Sequence, residues 1–476
     1  MSSRTRRFLG AAAALVALSS FVVACGSDSD GSSSSDGGGG SSSGIDTELD
    51  AIQVPHDYAT IQEAVDAASE GDLILVDAGT YEEAVDVTTP NITIRGVDRN
   101  DVILDGGFEL ENGIRVLDTD GVVVENMTAR NYVSNGFFWT GSDYYRGSYL
   151  TAYRNGDYGI YSFDAYHGQF DHSLGSGSPD AGFYIGECYE CDAVIDNVVS
   201  EYNGLGYSGT NSGGELYIVN STFRYNRAGI VPNSGSYELC YPGRSNTIVG
   251  NTVYDNNNQD GPAIDVALLA QGNGILLAGS INNTIERNLV YDHERTGIAA
   301  VPFPEEDASD TVPSADELDT PCEETRDDEL PDPADVPDLV LWAATGNTII
   351  DNVVSGSGLA DLASGTIAID DTALTTAELD NCFSGNEFET TAPVDLEALA
   401  PCEGDGSGGD FEDGALDLLV LINEQPEAPP KDAYQSTPEP EAQESMPDAL
   451  TTPAEPFEGP TKPDVEAIEV PAKPED

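Results

Sequence analysis

The sequence predicts an all-β solenoid, and two interleaved periodicities carry that prediction. Glycine precedes an apolar or aromatic residue at Gly113-Ile114, Gly136-Phe137, Gly159-Ile160, Gly182-Phe183, Gly206-Tyr207, Gly229-Ile230, Gly274-Ile275 and Gly297-Ile298, in steps of 23, 23, 23, 24, 23, 45 and 23 residues. Between these lies a second marker, an asparagine followed by a short segment of alternating polarity: ENMTARN from Glu125, DNVVSEYN from Asp196, VNSTFRYN from Val219, GNTVYDNN from Gly250, RNLVYDH from Arg287 and DNVVSGSG from Asp351. Asparagine tolerates left-handed backbone and bonds its own main chain, so stacked asparagines mark a repeated turn. The pattern suits a coil of about three short strands, stacked ~4.8 Å apart, each strand pairing with its equivalents above and below. No single coil of that kind buries its own apolar face, so the fold exists only as a stack.

The elements follow in chain order. Arg4, Arg6 and Arg7 precede FLGAAAALVAL, an apolar run too short for a mature membrane span. It ends in Val22-Val23-Ala24-Cys25-Gly26, which resembles a lipoprotein cleavage box. That resemblance implies a signal peptide over 1–25, acylation of Cys25, and an exported protein held to the cell envelope by lipid. Arg6-Arg7-Phe8-Leu9 resembles a twin-arginine signal one residue short, which leaves the export route open. Residues 26–50, rich in serine and glycine, read as a flexible tether. The solenoid is expected over 51–402. It opens with ATIQEAVDAASEGDLILV, where Thr60 reads as an N-cap with Glu63 three residues on, Gly71 as the stop, and LILV as a buried strand. From 403 to 476 an acidic, proline-rich tail is expected to be mostly disordered or extended. Within it, ALDLLVLI (415–422) is placed to cap the C-terminal end.

The repeat and the helical opening together resemble right-handed parallel β-helix proteins, the pectin lyase-like superfamily of pectate lyases, pectin methylesterases, polygalacturonases and many phage tail spikes. The resemblance implies a right-handed coil plugged at its N-terminal end by the helix. More narrowly, the run from Asn155 through NGLGYSGTNSGGELYIVNSTFRYNRAGI is similar to a family of exported bacterial β-helix repeat proteins, often lipoproteins. The likeness spans roughly 52–355. It implies a fold and leaves activity open, since this architecture hosts unrelated functions.

Candidate site residues come from strand alternation. The residue after each glycine points inward, so the next one points out, giving the column Arg115, Phe138, Tyr161, Tyr184, Ser208, Val231, Leu276, Ala299. Five positions after the glycine a second column reads Asp118, Gly141, Asp164, Glu187, Asn211, Ser234. Three aromatic rings on adjacent coils, with acids beyond them, suit a sugar-binding groove, because aromatic faces stack on sugars. Arg115, Phe138, Tyr161, Tyr166 and Tyr184 are therefore expected to bind substrate. Asp164, His167 and Asp171 are the candidates for acid–base work, and Asp164 with Glu187 for Ca²⁺, the one cofactor suggested. Against this stands a scaffold reading, in which the rings and acids stabilise the coils and His172 fills an asparagine slot. All three lysines (Lys431, Lys462, Lys473) lie in the tail, so a lyase or epimerase would need His167, Tyr161, Tyr166 or Arg115 as base. A hydrolase would draw on Asp164, Glu187 and Asp171. No β-helix enzyme signature is intact. The expected partner is a polysaccharide, bound and in one version processed; the alternative is a non-catalytic structural or interaction protein acting with another exported protein.

With 86 acidic and 18 basic residues and a net charge of −68, nucleic acid is excluded as a partner, because its phosphates would be repelled. Six cysteines besides Cys25, an even number in an exported chain, point to disulfides. Cys188 and Cys191 share a coil. Cys240 and Cys322 lie in two insertions, near 231–246 and after 302, that leave the stack a few residues past the glycine and so emerge at one corner. A disulfide needs Cα atoms within ~7 Å, which favours Cys188–Cys191, Cys240–Cys322 and Cys382–Cys402. The insertions are expected to form a wall beside the groove.

Overall fold

The computed structural model describes residues 44–314, 317–318, 322, 334–369 and 372–474. Cys25 and its leader lie outside the described residues. Each coil contributes one strand to a 13-stranded sheet, here the narrow sheet, and either two short strands or, in coils one and two, one eight-residue strand (Val123–Arg130, Arg146–Tyr153) to a 20-stranded sheet, the wide sheet. In coil three, which starts at Gly159, the strands are Ile160–Tyr166 (narrow), then Gln169–Asp171 and Leu174–Ser176 (wide). All pair in parallel with the coils on either side: Ile160 faces Phe137 below and Phe183 above. The expected inward ladder is observed, and Ile114, Phe137, Ile160, Phe183, Tyr207, Ile230, Ile275 and Ile298 all sit in one buried core.

Four left-handed corners close each coil. In coil three they are Asp164 (φ 50°), His167 (58°), His172 (49°) and Gly177 (78°); in coil four they are Glu187 (50°), Asp192 (45°), Asn197 (55°) and Tyr202 (60°). The expected asparagine signal is partly these corners and partly the residue beside them. Asn251, Asn288, Asn352 and Asn386 each follow a left-handed residue (Gly250, Arg287, Asp351, Gly385) and stack as a buried ladder. The backbone and side-chain nitrogens of each donate to the Oδ1 of the next at 2.9–3.0 Å. Such ladders satisfy the buried main chain at turns where no strand partner exists.

Helix α1 (Ile61–Ala67) plugs the N-terminal end, with Ile61, Ala64 and Val65 buried and the Thr60 side chain accepting from the Glu63 backbone at 3.1 Å. Glu83 accepts from the backbone of Ile61 and Gln62, supplying partners for two N–H groups that a helix start leaves open. Helix α2 (Asp265–Ala270) lies in the long connection between strands Thr252–Tyr254 and Ile275–Ala278. The C-terminal end is closed by helix α3 (Leu396–Leu399), whose Leu396 enters the core and whose Glu397 accepts the last asparagine, Asn386, at 3.0 Å. The segment expected to form that cap does something else. Leu416–Asp417 pairs with Gly365–Thr366, and helix α4 (Leu418–Asn423) covers the outer face of the narrow sheet, because the residues beneath it there are apolar.

The tail also differs from expectation. Beyond α4 it is extended, as a proline-rich chain must be, but it lies against the solenoid. Tyr434 is buried against Phe108, and the tail meets Arg95, Arg99, Arg154 and Arg287. Composition alone missed this because the body supplies the partners that the tail lacks.

Candidate functional site

Strand register aligns the predicted outward column. Arg115 faces Phe138, Phe138 faces Tyr161, Tyr161 faces Tyr184, Tyr184 faces Ser208, and Ser208 faces Val231. The rings of Phe138 and Tyr161 lie 4.6 Å apart, and those of Tyr161 and Tyr184 4.8 Å. Tyr158, just before Gly159, lays its ring on Tyr161 at 4.4 Å and 23°, and reaches Tyr184 at 4.9 Å. The rings thus spend much of their faces on one another. Tyr184 is 1% exposed, and its hydroxyl donates to both oxygens of Glu238 (2.8 and 2.7 Å), so it offers no open face to a ligand. Phe138 and Tyr161 remain half-buried at the opening.

Four carboxylates surround this cluster: Asp157, Asp180, Glu187 and Glu238. Burial pushes Asp157 and Asp180 up from the ordinary carboxylate value, and the charge of Asp157 adds to the effect on Asp180. Two such groups, sharing a weakly hydrated site, titrate as a pair and keep a proton to higher pH than either would alone. Glu238 is raised well above its usual value by burial, with Glu187 and Asp180 adding to it against the hydrogen bond from Tyr184. The phenols of Tyr158, Tyr161 and Tyr184 are driven up by burial and by the same acids, so they stay protonated donors. The one cation in the column, Arg115, is held by Asp86 at 2.9 and 3.1 Å.

The first insertion delivers Glu238. The Asn211 side chain donates to the carbonyls of Gly235 and Glu238, both at 2.6 Å, and accepts from the Gly235 backbone at 3.1 Å. The Glu187 carboxylate accepts from the Leu239 backbone at 3.0 Å. The two insertions do meet: Cys240 is joined to Cys322, and Glu305 accepts from the Ser236 backbone and from Trp342 Nε1 at 2.7 Å. Cys188 is joined to Cys191 and Cys382 to Cys402, with Cα separations of 4.9 and 4.7 Å. Instead of walling an open groove, however, the insertions roof the narrow sheet beyond Tyr184, where the outward residues turn apolar (Val231, Leu276, Ala299).

Of the other predicted residues, Glu187 reaches the cluster from a corner, and His167, Asp171 and Tyr166 are engaged elsewhere on the coil. Asp164 and Glu187 do not continue the outward strand column. Their column (Asp118, Gly141, Asp164, Glu187, Asn211) is the first left-handed corner, which explains why aspartate, glycine and asparagine recur in it. His167 occupies the second corner; its Nδ1 bonds Asp192 at 2.8 Å and its ring stacks on Tyr144 at 4.8 Å. Asp171, in the wide sheet, is buried and saturated by Arg146 (2.9 and 3.2 Å), Gln169 (2.6 Å), His172 (3.0 Å) and Ser148. Burial would raise it, but the His172 hydrogen bond and the Arg146 charge prevail and hold it at about 2. A carboxylate so committed takes up no proton near neutrality and is not a general base. Tyr166 is half-buried and packs against the core. Among the described residues no group of three or more His, Cys, Asp or Glu is placed to hold a metal ion.

Of the acids that converge, Glu187 is among those the sequence singled out; Asp157, Asp180 and Glu238 are not, although a signal exists for two of them. Asp157 and Asp180 stand two residues before Gly159 and Gly182, one coil apart in the same slot. Glu238 has no such signal, because its position depends on how an insertion folds back.

Residues 135–303 match a family model described as a right handed beta helix region. The fold is a right-handed parallel β-helix. Similar solved structures include the A-module of mannuronan C-5 epimerase AlgE4 from Azotobacter vinelandii (15% identity, 76% of this chain and 97% of that one, TM-score 0.43). An alginate lyase from Paenibacillus sp. FPU-7 is 17% identical over 50% of this chain and 87% of its own, with a TM-score of 0.37. Pectate lyase Pel9A is 11% identical over 82% and 84%, with a TM-score of 0.38. No curated protein matches the sequence. At these identities and scores the β-helix likeness is one of architecture and carries no activity to this chain.

Proposed function

We propose that this β-helix binds a polysaccharide in the cleft formed by Phe138, Tyr158, Tyr161, Asp157, Asp180 and Glu238. The observation that carries the reading is a row of acids with raised pKa, Asp180 buried and Asp157 and Glu238 half-buried, interleaved with protonated tyrosines beside half-open aromatic rings. Perturbed carboxyls gathered in one cleft are a mark of functional sites. Protonated carboxyls and phenols donate hydrogen bonds that sugar hydroxyls accept, and ring edges cover the apolar side of a sugar. A uronate would bring a further negative charge beside acids whose pKa values are already raised by one another's charge, with Arg115 already engaged. The cleft therefore suits a neutral glycan better than a polyuronate. An acid that keeps its proton near neutral pH also fits the role of proton donor to a glycosidic oxygen. A lipid-anchored position at the envelope, supported by the leader and Cys25 in the sequence, is part of the same proposal.

Glycan binding by the full chain, measured across neutral polysaccharides and polyuronates, tests it. Tyr161→Ala is expected to weaken a neutral ligand at least tenfold while the fold survives. Preference for polyuronates, or no binding at all, would count against the cleft. The ring-on-ring stacking favours a second reading, a non-catalytic protein acting with another exported protein. A Tyr161→Ala variant that only lowers the melting temperature supports that alternative.

A further inference from the structure

The tail after α4 runs a definite course. Tyr434 packs on Phe108 near Gly156, and Thr437 passes Arg154 and Gly177. Residues 443–452 cross the N-terminal coils at Asn100, Arg99, Asn126 and Arg95. The chain then turns back past Gln169, Asp192 and Glu215 to Gly250, Arg287 and Asp292.

The contacts along this course read main chain. Asn100 brackets Gln443, donating to its carbonyl at 2.9 Å and accepting from its N–H at 2.8 Å. Asn126 accepts the Met446 N–H at 2.7 Å, and Gln169 accepts that of Thr461 at 2.9 Å. Arginines take the carbonyls: Arg154 that of Thr437 (2.7 Å), Arg99 that of Glu444 (3.2 Å), Arg95 those of Ala449 (3.0 Å) and Thr452, and Arg287 those of Val465 and Ile468 (both 2.6 Å). Arg95 and Arg99 are only 2% and 3% exposed and are also tied to the body, Arg95 through Glu125 at 2.6 Å and Arg99 through Thr151 and the carbonyls of Leu150 and His172, so both are held in place where they meet the tail. The passage is also cut to fit. A Cβ at Gly177 would lie 2.8 Å from Thr437, and one at Gly250 would lie 2.2 Å from Ile468.

We infer that the wide sheet and its corners form a binding channel for an extended, proline-rich peptide, of which residues 434–469 of this chain are the resident ligand. Proline suits such a ligand, since it favours extended backbone and leaves carbonyls free for donors. Most of the contacts reach the main chain, and Tyr434, Thr437, Ser445 and Lys462 are the side chains that the channel also engages. A chain with 18 basic residues against 86 acidic ones places four arginines on this one path, and the tail's own Lys462 pairs with Asp192 and Glu215. The inference is independent of the glycan cleft, which lies on the narrow sheet.

The test uses the full chain with a protease site introduced into the linker 425–433. After cutting at low ionic strength, the tail fragment is expected to co-elute with the body in size-exclusion chromatography. It should then exchange with a labelled synthetic peptide of residues 434–469. Arg154→Gln and Asn100→Ala, each made in the cuttable chain, are expected to weaken that peptide about tenfold, the worth of one charge-assisted hydrogen bond or a bidentate pair. Arg154 is half-buried at a corner, so its variant leaves the core intact and keeps the test meaningful if Asn100→Ala folds poorly. Separation of the fragment from a body with unchanged circular dichroism would overturn the inference. So would a peptide affinity indifferent to Arg154→Gln.

Discussion

The outward face of the narrow sheet has two halves built on one column. In coils two to four it carries Phe138, Tyr161 and Tyr184, ringed by acids and partly open; in coils six to eight it carries Val231, Leu276 and Ala299, roofed by α2, the 303–342 hairpin and α4. Strand geometry is the same in both. What differs is whether the outward side chain tolerates water. Aliphatic residues there demand a cover, and the insertions supply it; tyrosines and acids demand none, and the cleft stays half-open. Long insertions in this protein therefore mark where the solenoid is hydrophobic outside as well as inside.

The comparison breaks most visibly with a charge. Ala299→Asp, beneath the roof, is expected to cost several kcal/mol as an unpaired buried carboxylate. Phe138→Asp, in the open half, should cost far less; thermal melts of the two variants decide it, and equal losses would mean the halves are equally closed. A smaller effect is expected from opening the roof. Replacing Cys240 and Cys322 with serine should lower stability by roughly 2–4 kcal/mol. It should also raise the reactivity of Tyr184 toward tyrosine-modifying reagents, since Glu238 rides on the insertion that this bond holds. An unreactive Tyr184 would show that Asn211 and Glu187 position Glu238 without the disulfide.

The smallest effect is a pH slope confined to the open half. The folded state raises the Asp157–Asp180 pair above its unfolded pKa, so that pair favours folding fully below the ordinary value of 3.8 and loses that contribution as pH rises through the raised range. Asp180→Asn is expected to flatten the fall in melting temperature between acidic and neutral pH. A slope unchanged from the parent would show that the pair is not the source.

Sequence made the stack readable because its signals are local and periodic. The inward ladder, the outward register, the Thr60 cap and the reach of each disulfide all depend on residues at fixed spacing. Alternation carried past residue 163 misreads Asp164 and Glu187 as strand residues, because a left-handed corner there resets the direction of the side chains; Glu187 reaches the rings from that corner. Asp171 looked available because nothing in its neighbourhood announces that Arg146, a coil below, has claimed it. Tyr158 and Asp157 were overlooked as turn residues, although Asp157 recurs one coil on as Asp180. The roof and the tail are long-range: Glu305 finds Ser236, and Gln443 finds Asn100, across spans that no local pattern encodes.

The asparagine ladder has one more implication. Each rung passes on the relation it receives, two donors sent forward and one oxygen offered back, so the corner behaves as a directional polymer with translational symmetry. A polymer of that kind needs a terminator. Glu397 fits, because a carboxylate accepts both donors of Asn386, at 3.0 and 3.2 Å, and has none to send on. His293 ends a parallel run of Asn203, Asn226 and Asn256 with a single ring nitrogen. Chain growth by whole coils would leave such a grammar undisturbed, provided that the final word accepts and does not give.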